Sequence, residues 1–233
     1  MGRLELFLVI APALLFSMVA HEYAHGYAAL RQGDPTAYQL GRLTWNPLKH
    51  IDPLMTVVLP ILTFYYGNFL FGGAKPVPVV PRNYRNYRRG DIIVSMAGIA
   101  ANLVLFVASV LLFALLGVLG HWLPAANDTL AILQVMAIWG VRFNLMLAVF
   151  NLLPIPPLDG SHVMKYILPP AWSLRYQQLG MYGILIVVFV MGTGVGRGLL
   201  SAWMTPAFFL ESRAMYLVRS LLLSSPFTAS LLG

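Results

Sequence analysis

The 233-residue sequence predicts an all-α polytopic membrane protein of about five to six hydrophobic helices, one of them re-entrant, with short extended segments near a polar site. The expectation rests on three features. Hydrophobic residues make up 59% of the chain and charged residues 10%, where a soluble domain carries about 25% charged residues. The apolar residues fall in continuous runs that suit the roughly 20-residue crossing of a hydrocarbon core, not in the alternation of barrel strands. The mean hydropathy is +0.75, and eight acids with fifteen Lys/Arg are too few to cover a water-soluble globule. A soluble enzyme, a coiled coil, a disordered chain and a nucleic-acid partner are excluded on these grounds. The net charge of +7 suits membrane topology and anionic lipid headgroups instead. The chain has no cysteine, so any metal falls to His and carboxylate.

The apolar runs are 4–30, 54–71, 92–119, 129–153 and 179–203. The first is too long, and too polar inside, for a cleaved signal peptide. In the fifth, Gly192-Thr193-Gly194-Val195-Gly196 reads as close helix packing. The tail 205–223 carries Glu211, Arg213 and Arg219 and reads as an amphipathic interfacial helix. The longest polar stretch, 72–90, is too short for a domain. Residues 1–233 are therefore expected to form one domain, with a core of about 4–170 and C-terminal helices of about 175–225.

Charge sets the topology. Eight of the fifteen basic residues lie between Arg31 and Arg89, on both sides of the second run, and 120–128 has no Lys or Arg. The basic clusters are expected in the cytoplasm and 120–128 outside. Both ends of 54–71 then lie on one side of a cell membrane. Eighteen residues cannot cross twice, so this run should dip in and return, with Pro60 or Gly67 helping the turn.

Ionisable groups inside spans are costly and mark function. The densest set is His21-Glu22-Tyr23-Ala24-His25 in the first run. On a helix the two histidines stack one turn apart on one face. That is the spacing at which both imidazoles bind one Zn²⁺, with Glu22 close enough to act on water at the metal. Catalytic zinc uses three protein ligands. Among His50, His121, His162, Asp52, Asp128, Asp159 and Glu211, Asp159 stands out. It follows Asn151-Leu152-Leu153-Pro154-Ile155-Pro156-Pro157-Leu158 and precedes Gly160. Three prolines forbid a regular helix there and glycine permits a sharp turn, so Asp159 is expected on a rigid, extended, buried segment. A fourth ligand would close the catalytic position, so His162 is not expected on the metal. His50 and Asp52 read as a loop contact. Arg142, half a turn out of phase with Asn151, is expected to face away from the metal.

These residues resemble the site-2 protease family, the intramembrane zinc metalloproteases. His21 to His25 resembles its HExxH. Ala97-Gly98-Ile99-Ala100-Ala101-Asn102 resembles its AGPxAN helix, with Ile99 where the family has proline. Asn151 to Gly160 resembles its NxxPxxPxDG segment. Asn46 to Pro53 and Ala74 to Val77 further resemble the compact prokaryotic branch without PDZ or CBS domains. The likeness covers about 10–170. It implies one Zn²⁺ per chain on His21, His25 and Asp159, Glu22 as general base, and Asn102 and Asn151 as substrate-binding or supporting groups. For Asn102, bridging two helices is as open as substrate contact. The implied activity is hydrolysis of peptide bonds within or near transmembrane segments of substrate proteins, in a multi-pass cell-membrane protein whose site opens to the cytoplasm. The extended Lys75 to Val80 is a candidate edge for an unwound substrate. A membrane metal-ion transporter and an inactive pseudoprotease are the alternatives; Glu22 beside the two-histidine face speaks against both.

Overall fold

The computed structural model describes residues 2–66 and 72–223. It is an all-α membrane protein, with no strand among the described residues. Helix α1 is Arg3–Gln32 and stops at Gly33, whose φ of 111° lies in the left-handed region that glycine enters without a Cβ penalty. A short α2 (Thr36–Gln39) follows. A π-helical turn at Pro53–Val58 leads into α3 (Leu59–Tyr66). Asp52 caps that turn by accepting from the amides of Leu54 and Met55, the orphan donors of a helix start.

Helix α4 (Tyr87–Trp122), capped by Asn86, and α5 (Asn127–Asn151) complete the central bundle with α1. Among the described residues, three stretches are long and apolar enough to cross a membrane: Arg3–Gln32, Tyr87–Trp122 and Pro124–Asn151. Gln134, fully buried in α5, donates to the carbonyls of Phe113 and Leu221 and accepts from the Leu223 amide. Inter-helix hydrogen bonds of this kind hold helices together where lipid removes the hydrophobic drive.

The chain then runs through α6 (Gly160–Ile167), α7 (Pro170–Gln178), α8 (Gly183–Gly192) and α9 (Gly194–Val218). Helix α9 packs on α5 through Val141, Leu145, Met204 and Ala207. The expected fifth span is not one helix. It breaks at Thr193, which is extended (φ −96°, ψ 149°) and caps α9 by accepting from the Gly196 amide. The glycine run therefore marks a break as well as a packing site, because a capping hydroxyl gives the backbone an alternative to helix continuation. The tail read as a separate interfacial helix is the continuation of α9 as far as Val218. Its Glu211 pairs with Arg142 at 2.6 Å, which turns an apparent surface charge into an inter-helix contact.

The residues flanking the second run, Met55 and Thr56 on one end and Gly73 on the other, are hydrogen-bonded to each other. The Gly73 amide donates to the Met55 carbonyl at 3.0 Å, and the Thr56 hydroxyl donates to the Gly73 carbonyl at 2.6 Å. Between these ends, Phe64 packs on Phe7 and the Tyr65 carbonyl accepts from Arg3, at the N-terminal turns of α1. The turn expected at Gly67 lies outside the described residues.

Candidate metal centre

Consecutive turns of α1 supply His21 and His25, whose rings meet edge to face with centroids 4.5 Å apart. Their Nε2 atoms are 3.0 Å apart. Asp159 Oδ2 lies 3.2 Å from His21 Nε2 and 3.3 Å from His25 Nε2. The segment after α5 carries it there. Gly160 lets the chain pass so close to Leu152 that a Cβ would collide with the Leu152 carbonyl oxygen. Asp159 itself is not extended, as the prolines suggest. Its backbone is already helical (φ −58°, ψ −39°) and forms the N-cap of α6, because the last position that a proline restricts is Pro157 itself, two residues earlier.

Main-chain carbonyls decide which ring nitrogens carry protons. His25 Nδ1 is 2.7 Å from the Val94 carbonyl, which can only accept, so Nδ1 carries the hydrogen and Nε2 a lone pair. His21 Nδ1 is 2.6 Å from Asn102 Oδ1. Asn102 is oriented by its Nδ2, which donates to the Ser17 carbonyl and to Asn144 Oδ1. Asn144 is oriented in turn by donation to the Gly140 carbonyl and the Ser17 hydroxyl. His21 therefore also presents a bare Nε2. Three lone-pair atoms face one another, and Asp159 Oδ2 is buried without a hydrogen-bond partner. Its neighbours lie within ion-pair distance, but neutral rings in these tautomers have no proton to give it. A cation fits this arrangement. Tetrahedral zinc with ligands at about 2.0–2.1 Å separates them by about 3.3 Å, and the observed edges are 3.0, 3.2 and 3.3 Å.

One stripe of α4 serves the site. Val94 fixes His25, Asn102 fixes His21, and Gly98 between them leaves room for both rings. Ile99, where the family has proline, is buried within an uninterrupted α4.

Glu22 Oε2 accepts from the Val77 amide at 2.7 Å. The non-helical stretch around Val77 is held by the Lys75 amide, which donates to the His50 carbonyl, and by the Val80 amide, which donates to Asp34 Oδ2. Burial alone would raise the Asp34 pKa, but donation from Thr36, Val80 and Asn83 holds its carboxyl below the usual carboxylate range.

The other singled-out residues make the following contacts. Asn151 donates to the Leu147 carbonyl of its own helix. His50 is buried with Nε2 on the Thr44 carbonyl. His162 pairs with Asp91. Arg142 meets Glu211 and the Trp139 ring. Sequence reasoning misses Asn144, Ser17 and Asp91. Asn144 does carry a signal: it is an amide inside an apolar run, seven residues before Asn151 and so on the same helical face.

Membrane-length helices around a His, His, carboxylate cluster with an adjacent glutamate are the marks of a membrane metalloprotease. The model of peptidase family M50 matches residues 119–191. YwhC of Bacillus subtilis (strain 168), named as a candidate zinc metalloprotease, is 37% identical over 183 residues, covering 78% of this chain and 80% of that protein. Rip2 of Mycolicibacterium smegmatis, named in the same way, is 35% identical over 193 residues, covering 80% and 68%. Rip2 of Mycobacterium tuberculosis (strain H37Rv) is 32% identical over 192 residues, covering 80% and 68%. No solved structure matches. The chain belongs to peptidase family M50, the site-2 proteases, and is a zinc metalloendopeptidase of the membrane. The transporter and pseudoprotease readings give way to that membership.

Proposed function

We propose that this chain cleaves peptide bonds within or beside transmembrane segments of membrane-protein substrates, as a single domain over 1–233 with its site open to the cytoplasm. His21, His25 and Asp159 hold one zinc, and Glu22 is the general base. The observation that carries the reading is the triangle of bare Nε2, Nε2 and Oδ2 atoms, with edges of 3.0–3.3 Å, in a chain whose Glu22 directly follows His21.

Bound zinc supplies a water of lowered pKa and a Lewis acid for the peptide carbonyl. Glu22 accepts the water's proton and returns it to the leaving amine. The Val77 amide holds one Glu22 oxygen, leaving the other for that proton. Asn102 and Val94 keep both imidazoles in the ligating tautomer. Asn102 thus supports the site by bridging α1, α4 and α5. A substrate helix hides its amides, so helix-weakening residues near the scissile bond favour cleavage. The basic clusters favour a cytoplasmic position for the His25 end of α1, with His25 about 9 Å along the axis from Arg31.

The test is a liposome cleavage assay on single-span peptides with Glu22→Gln. That variant is expected to keep zinc and lose turnover, since an amide cannot take the proton. Wild-type rates in Glu22→Gln would sink the general-base assignment.

A further inference from the structure

Asp91 lies near the start of α4 and is 2% exposed. Three donors reach it, all from α6: His162 Nδ1 at 3.0 Å, Lys165 Nζ at 2.5 Å and the Tyr166 hydroxyl at 2.9 Å. On α6 they share one face with Asp159, which immediately precedes the helix, at spacings of three and four residues. On α4, Asp91 heads the stripe that continues through Val94, Gly98 and Asn102. The two stripes meet, with α6 running antiparallel to α4.

We propose that Asp91 is a positioning residue for Asp159: it clamps α6 and thereby fixes the third ligand against the two histidines. The proposal rests on Asp159 being a metal ligand. Helix α6 has eight residues, below the length at which a helix is stable by itself, so tertiary contacts set its direction. Upstream of Asp159, the Tyr176 hydroxyl donates to the Pro154 carbonyl. Downstream, the Asp91 clamp begins one turn beyond the ligand. A buried carboxylate is costly unless fully paired, and here its three donors come from the element that must be placed.

The experiment uses the full chain in detergent, comparing Asp91→Leu, Asp91→Asn, Lys165→Met and Asp159→Ala. Zinc affinity is measured by chelator competition, together with the unfolding midpoint on the same samples and the visible absorption of cobalt-substituted protein. Loss of an outer-shell support weakens metal binding by roughly 10–100-fold. Asp91→Leu is expected in that range, with Asp91→Asn and Lys165→Met smaller and with shifted cobalt bands. If Asp91→Leu does not fold, the two milder variants decide. Folded variants with wild-type zinc affinity and unshifted bands overturn the clamp, even if their midpoints fall. Full zinc occupancy in Asp159→Ala overturns the ligand assignment beneath it.

Discussion

Gly98→Ala adds one methyl group to α4 at the point where both histidine rings cross it. A Cβ at Gly98 would lie 2.5 Å from His25 Nε2, 2.6 Å from His21 Cε1 and 2.7 Å from His21 Nδ1. Helix propensity favours the substitution by about 1 kcal/mol. Overpacking opposes it by about 1–3 kcal/mol. The rings cannot yield freely, because His21 is pinned to Asn102 at 2.6 Å and His25 to the Val94 carbonyl at 2.7 Å. Reaching an ordinary contact of about 3.5 Å requires a displacement of about 1 Å. Metal–ligand distances tolerate only about 0.2 Å, so the metal site gives way before the helix does. Gly98→Ala should therefore fold with a modestly changed midpoint and bind zinc at least roughly tenfold more weakly. Chelator competition on purified protein measures the affinity, and cleavage of a single-span peptide follows it. Wild-type zinc affinity in a folded Gly98→Ala protein would show that the rings do not depend on this gap.

Asn102→Leu should free His21 to flip its tautomer and lower zinc affinity by roughly tenfold, while Asn102→Asp, which keeps an acceptor for Nδ1, should retain much more of it; equal losses in chelator competition would remove the orienting role. His21→Ala, His25→Ala and Asp159→Ala should each be purified with little zinc by metal analysis, since two remaining ligands bind weakly. Glu211→Ala leaves Arg142 without its carboxylate and should lower stability by about 1–3 kcal/mol with zinc content unchanged; an unaltered unfolding midpoint would show the pair to be neutral. In sealed vesicles, Lys49→Cys and Arg85→Cys should label from one face and Ala125→Cys from the other, with no native cysteine to interfere; labelling of 49 and 85 from opposite faces would break the re-entrant arrangement.

Local chemistry and composition make much of this protein legible from its residues. Continuous apolar runs call for membrane helices. HExxH on α1 places two imidazoles one turn apart because helical spacing is fixed. Three prolines before Asp159 mark the non-helical segment 152–158. Charge on both sides of 54–71 calls for its ends to lie together, and the Gly73 amide does meet the Met55 carbonyl. The rest depends on how distant segments pack. The tautomers of His21 and His25 follow from carbonyls of Ser17, Gly140 and Val94, reached across three helices, and no spacing rule links those positions. Asp91 reads as an ordinary helix-start acid until α6 is laid against it. Arg142 meets Glu211 from sixty-nine residues away, a pairing that depends on how α9 crosses α5. The break at Thr193 is hidden because glycine spacing suits both close packing and helix termination, and the capping bond from Gly196 selects between them.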